Sequence, residues 1–127
     1  MLTYRTDGRF VEIDLGTGYE TTELRTLFET IRDDPRVPDG ALLLFDASSR
    51  LQVLSEDLVR ARFEIYSEIL RGRVAPVFAA IVSSATVVSG QTVQREAAAG
   101  GIRVALFLDS QSARRWLSSC AAMPEGL

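Results

Sequence analysis

The residue types that do most general acid–base and covalent work are missing from this sequence. All fourteen basic residues are arginine, and there is neither a lysine nor a histidine. No Schiff-base lysine, imidazole base or histidine metal ligand can therefore arise. The single cysteine, Cys120, has no imidazole to take its proton and continues an apolar helical stripe, so burial accounts for it better than nucleophilic chemistry. Carboxylates pair at Asp33-Asp34 and Glu56-Asp57, but both pairs fall at expected helix ends, where solvated charge complements or terminates a helix. No carboxylate cage for a metal can be assembled from the spacing. The expectation is a protein that is not an enzyme and carries no metal or organic cofactor.

Gly16-Thr17-Gly18-Tyr19-Glu20-Thr21 follows a strand and opens a helix, in outline like a dinucleotide-binding turn. Thr21 stands where a third glycine would allow close helix-to-strand packing, and the acidic residue Asp46 comes late, so a helix-entry turn is the better reading. One polar grouping rises above background. Asp46, Ser48, Ser49 and Ser55 follow one expected central strand, and Ser83, Ser84, Thr86 and Ser89 follow the next. In a parallel sheet such loops line the usual ligand crevice, and hydroxyls suit a polar head group or a partner's backbone. Turn chemistry alone also favours serine there.

The elements that must position these loops are readable from periodicity. Residues 2–6 and 9–15 read as two strands joined at Asp7-Gly8, a dipeptide suited to a tight hairpin. Thr17 and Glu20 have capping-box spacing, and Leu24, Leu27, Phe28 and Ile31 form one helical stripe ended by Asp33-Asp34-Pro35. The run Ala41 to Phe45 has the look of a strand buried on both faces. Ser55 opens a second helix to about Leu70, with Val59, Phe63, Tyr66 and Leu70 on one stripe and Leu58, Ile65 and Ile69 widening it. Val77 to Val82 is a further apolar strand, Thr86 to Ala99 a helix of weak periodicity, and Ile102 to Leu108 the last strand. Ser110 caps a final helix whose Ala113, Trp116, Leu117 and Cys120 face inward. The predicted order is ββαβαβαβα, a single α/β domain over 1–120 with a frayed tail from Ala121 to Leu127, its sheet mostly parallel with an antiparallel N-terminal hairpin.

The closing run Val104-Ala105-Leu106-Phe107-Leu108-Asp109, followed by Ala113-Arg114-Arg115-Trp116-Leu117, resembles the last strand and helix of the SpoIIAA-like branch of the STAS (anti-sigma-factor antagonist) superfamily. The element order resembles that family over nearly the whole chain. The resemblance implies a regulatory binding module without catalysis, and a serine open to phosphorylation at the start of the helix after the central strand. Asp46-Ala47-Ser48 looks like the family's strand-end Asp-x-Ser, which places Ser55 at or beside the acceptor position. Leu54 replaces the aspartate common before the acceptor, and Glu56-Asp57 replaces the small residues that follow it. Two carboxylates there would repel a phosphoryl group, so Ser55 is expected to be a plain helix cap.

At 127 residues, 46% hydrophobic and 24% charged, the chain has the composition of one globular domain. Its net charge of −3 and scattered arginines give no basic stripe for nucleic acid. Its apolar runs are too short to span a bilayer and its start does not read as a secretory signal, and with one cysteine a cytoplasmic protein is expected. Two functions follow as expectations. The first is docking of a protein partner, including a second copy of itself, through the loop face; the alternative is a pocket for a small lipophilic or anionic ligand between the second helix and the sheet, with nucleotide binding a weaker variant.

Overall fold

A computed structural model describes residues 2–49, 55–83 and 87–122, without the side chains of 87–90 and 121–122. Strands β1 (Thr3–Asp7) and β2 (Phe10–Asp14) pair antiparallel, with Asp7 opposite Phe10. That register makes Gly8 and Arg9 the turn residues, one position later than Asp7-Gly8. Gly8 takes φ 60° while Arg9 keeps a negative φ, the pattern of a turn whose first central residue must be left-handed.

Strands β3 (Ala41–Asp46), β4 (Val74–Ile81) and β5 (Arg103–Phe107) complete a sheet of order β1-β2-β3-β4-β5, parallel from β2 onward. Helices α1 (Thr21–Asp33), α2 (Glu56–Ile69) and α3 (Val87–Ala99) bridge the parallel pairs, and α4 (Ser110–Ala122) closes the chain. The order is ββαβαβαβα, as the periodicity predicts. Crossovers of one hand that step in one direction across a sheet lay their helices on one face. The packing agrees. Leu24, Phe28, Ile31, Ile65 and Tyr66 from α1 and α2 bury against Val11, Ile13, Leu43 and Phe78, while Ala113 and Leu117 of α4 bury against Leu42, Leu44, Ala79 and Ile81 on the opposite face.

Several boundaries move for identifiable reasons. The capping box of α1 is formed by Glu20 and Glu23 rather than by Thr17 and Glu20, because the carboxylate of Glu23 reaches back to the Glu20 backbone N–H at 3.1 Å and a carboxylate suits the first turn. At α4 the cap is Asp109, which accepts from the Ser112 backbone N–H at 2.8 Å, and Ser110 becomes the first helical residue. Strand β4 starts at Val74 instead of Val77, with the exposed Pro76 where the pairing to β3 shifts register, a place that tolerates a missing N–H. Helix α4 continues through Ala122, past the expected fraying point; residues 123–127 lie outside those described. Trp116 and Cys120 are half-buried rather than buried. The indole still packs on the α4-side core, its ring 5.8 Å from that of Phe107.

The amino edge of the sheet is tied by arginine. The guanidinium of Arg73 donates to the carbonyls of Arg32, Asp34, Val37 and Pro38 at 2.7–3.3 Å, organising the loop between α1 and β3. Asp34 accepts from the Tyr4 hydroxyl at 2.7 Å and from Arg36 at 2.8 Å. Hydrogen bonds from Arg36 and then Tyr4 hold its carboxyl far below the usual carboxylate range.

Candidate functional site

Parallel pairing aligns Asp14, Asp46, Ile81 and Phe107 across the carboxyl edge of the sheet, so the loops leaving β2 to β5 share one end of the molecule. The expected polar residues distribute unevenly there. Asp46 ends β3 and gathers Ser48, whose backbone N–H and hydroxyl donate to its Oδ1 at 3.0 and 2.6 Å; this is a self-contained turn. Ser49 is exposed beside it. Ser55 is the N-cap of α2, its hydroxyl oxygen accepting from the Leu58 backbone N–H at 3.2 Å. Ser83 is half-buried after β4, and Ser84 and Thr86 lie outside the described residues.

Beneath this edge, on the face covered by α1, α2 and α3, lies a cavity of about 100 Å³. Its floor is the sheet: Phe45, Phe78, Ala80, Val104 and Leu106, with Leu15, Ala47 and Val82 just past the strand ends. Its roof is α2 through Val59, Arg62, Phe63 and Tyr66, with Leu24 and Phe28 of α1 on one side and Val93 of α3 on the other. Period-2 alternation brings every second residue of each strand to this face, and 3.6-residue periodicity brings Val59, Phe63 and Tyr66 to the underside of α2. Phe78 anchors the floor, with edge-on rings of Phe45 at 5.4 Å and Tyr66 at 5.0 Å. Burial pushes the Tyr66 phenol above its ordinary pKa, with Arg71 pulling the other way, so the ring is a neutral part of the wall. Ion pairs on the solvent side tie the roof together: Arg95 to Glu56 at 2.9 Å and Arg60 to Glu96 at 3.5 Å join α3 and α2, and Arg25 to Glu68 joins α1 and α2.

The unexpected member is Arg62. It is 8% exposed, and its guanidinium carbon stands 4.2 Å from the centroid of the Tyr19 ring, which the loop after β2 supplies. Such a contact favours a cation in a partly desolvated place. In the sequence, residue 62 lies three after Val59 and four before Tyr66, on the apolar stripe itself. That position was the available signal. The residue's type concealed it, because arginine is a surface residue by habit.

Against protein-family models, curated proteins and solved structures, the chain finds no match. The site is read from its own chemistry. Among the described residues no group of three or more cysteine, aspartate and glutamate side chains gathers to hold a metal, and no helix is long and apolar enough to cross a membrane. What the arrangement can do is enclose an apolar group beneath a sheet edge, beside a fixed cation.

Proposed function

We propose that this chain is a non-enzymatic, STAS-like binding domain that takes a small lipophilic molecule into the cavity between α2 and the sheet. The observation that carries the reading is the cavity of about 100 Å³, lined almost wholly by aliphatic and aromatic side chains. Protein interiors seldom leave voids larger than a water molecule. A pocket of that kind, partly open toward solvent, leaves its apolar side chains without contacts on one side. A ligand that fills it recovers the lost contacts. The STAS-like part of the proposal is supported by the element order, the mixed sheet and the run Ala113 to Leu117, and a cytoplasmic place by the lone cysteine.

A thermal-shift screen with lipids and nucleotides tests the reading. Raised Tm with a lipophilic compound and none with nucleotides is the expected result. At a hundredfold excess over Kd such a ligand adds about 2.7 kcal/mol. A flat response across the lipids would remove the support.

A second reading, docking of a protein partner or a second copy through the loop edge, is favoured by Leu108. This residue is 79% exposed at the carboxyl end of β5, on the same edge as Asp46, Ser48 and Ser49, and an exposed leucine beside polar turns suits the apolar centre of a small interface. Co-purification of a stoichiometric protein partner that Leu108→Asp abolishes, without any small-molecule shift, would favour this reading over the first.

A further inference from the structure

We propose that the outer edge of β5 is a self-association surface, where two copies of this chain pair their β5 strands antiparallel about a two-fold axis through Leu106 and join their sheets. The inference goes beyond the cavity reading and stands without it. An open sheet has two edges, here β1 and β5, and they are guarded unequally. Strand β1 carries exposed Arg5 and Asp7, which pair with Glu12 and Arg114, and charges on an edge strand oppose the addition of a further strand. In β5 every residue after Arg103 is apolar, and the run continues to Leu108. No proline interrupts it, and its pairing with β4 has no register shift. Val104 to Phe107 are half-buried, and a groove bounded by Gln94 of α3 and Trp116 of α4 runs along Arg103, Val104 and Ala105.

Hydrogen bonding fixes which residues of β5 face outward. The Phe107 carbonyl accepts from the Val82 N–H at 2.8 Å, so it points toward β4. Alternation along the strand then turns Arg103, Ala105 and Phe107 toward β4, and Val104 and Leu106 away from it. The Val104 carbonyl agrees, since it accepts from the Gln94 side-chain amide at 3.0 Å. Among the described residues no bond occupies the outward N–H and C=O of Leu106.

The sequence around Leu106 says what covers this edge, because reversed it complements itself. Arg103 and Asp109, both exposed, stand three residues to either side of Leu106. An antiparallel partner centred there sets Arg103 against Asp109 of the second copy, twice by symmetry, and opposite charges across strands stabilise the pair. Small Ala105 meets large Phe107. Leu106 meets its own counterpart and exchanges two N–H···O bonds, while Val104 covers Leu108, which is 79% exposed. Centred on Val104, the pairing would need the carbonyl that Gln94 holds; centred on Ala105, it would leave Asp109 without its arginine. The contact is the same patch on both copies, so it closes at a dimer.

Sedimentation velocity of the full chain across a concentration series, with disulfide trapping in a Cys120→Ser background, tests this. The wild type should show a reversible monomer–dimer equilibrium. Arg103→Glu, at an exposed position, sets like charges together and should weaken the dimer about tenfold. Leu106→Pro removes the outward N–H while sparing the ladder to β4, and should abolish the dimer. Leu106→Cys should cross-link to itself on mild oxidation, because the Cα atoms of a hydrogen-bonded antiparallel pair lie about 5.5 Å apart, within disulfide reach. Val104→Cys should not. A chain that stays monomeric at every concentration, a dimer indifferent to Arg103→Glu, or cross-linking through Val104→Cys in place of Leu106→Cys would overturn the proposal. Arg103→Glu decides where Leu106→Pro does not fold.

Discussion

On the face of the sheet covered by α4, Leu42, Leu44, Ala79, Ala113 and Leu117 are all at most 1% exposed beneath a single helix. On the other face three helices are used, and beneath the carboxyl edge they still leave about 100 Å³ unfilled beside a buried arginine. The two faces share the same strands, so the difference lies in the side chains that each face projects. On the α4 side the tight packing is confined to the patch under Ala113 and Leu117. Toward the carboxyl edge Leu44 and Ile81 line an open polar groove with Glu12 and Ser110; on the other side the apolar pocket lies beneath the edge where a parallel sheet presents its loops.

The comparison can be broken most forcefully at Leu117. Its truncation to alanine should cost about 2 to 5 kcal/mol in urea unfolding, with binding at the far face unchanged where the variant remains folded. Neighbouring alanines sharpen the contrast. Ala79 and Ala80 are adjacent in β4 but project to opposite faces. Ala79→Leu should lose about 1 to 3 kcal/mol by overpacking, whereas Ala80→Leu should change stability by less than about 1 kcal/mol because the cavity takes the added carbons. Equal losses at the two sites would mean that the faces are packed alike.

Smaller effects are expected at the site's periphery. Ser55→Ala should destabilise by about 0.5 to 2 kcal/mol through loss of the bond to the Leu58 N–H, and Ser55→Asp should be nearly neutral, since aspartate caps as well. Substantial phosphate on Ser55 in the native protein, found by mass spectrometry and altering partner binding, would contradict a purely structural cap. The smallest effect is on pH dependence. For Asp34, hydrogen bonds from Arg36 and Tyr4 hold the folded pKa below its unfolded value. For Glu12, burial pushes upward but hydrogen bonds from Arg114 and Arg5 outweigh it. A depressed folded pKa contributes stability above the unfolded pKa that is lost as pH falls through the folded one. Stability should therefore fall below about pH 4. Tyr4→Phe, which removes one of the bonds to Asp34, should lessen the loss between about pH 5 and pH 3; an unchanged slope would show that Tyr4 has no part in it.

Element order, strand direction and most core residues were legible in the sequence because they follow from periodicity, which each segment carries alone. Leu24, Leu27, Phe28 and Ile31 all fall on the buried face of α1. Caps were less legible. Thr17, Asp109 and Ser110 are all eligible by type while Glu20 is not among the favoured caps, and only the path of the chain makes the choice. The wide apolar face of α2 pointed to a pocket beneath it, and Phe63 and Tyr66 do line the cavity. Ile65 and Ile69 pack into the core instead. The void itself is a sum over side chains from β2 to β5 and three helices, which no local pattern records, and Arg62 was hidden by its type.

The central claim is that the two faces differ in what they can admit, and a titration of methyl-labelled protein with a small lipophilic probe, 1-butanol, followed by ¹H–¹³C correlation spectra, tests it most directly. Saturable shifts are predicted at Val59, Val82, Val93, Val104 and Leu106, which line the cavity, with Leu42, Leu44 and Leu117 on the α4 face unmoved. Shifts spread equally over both faces, or none at the cavity methyls, would contradict it.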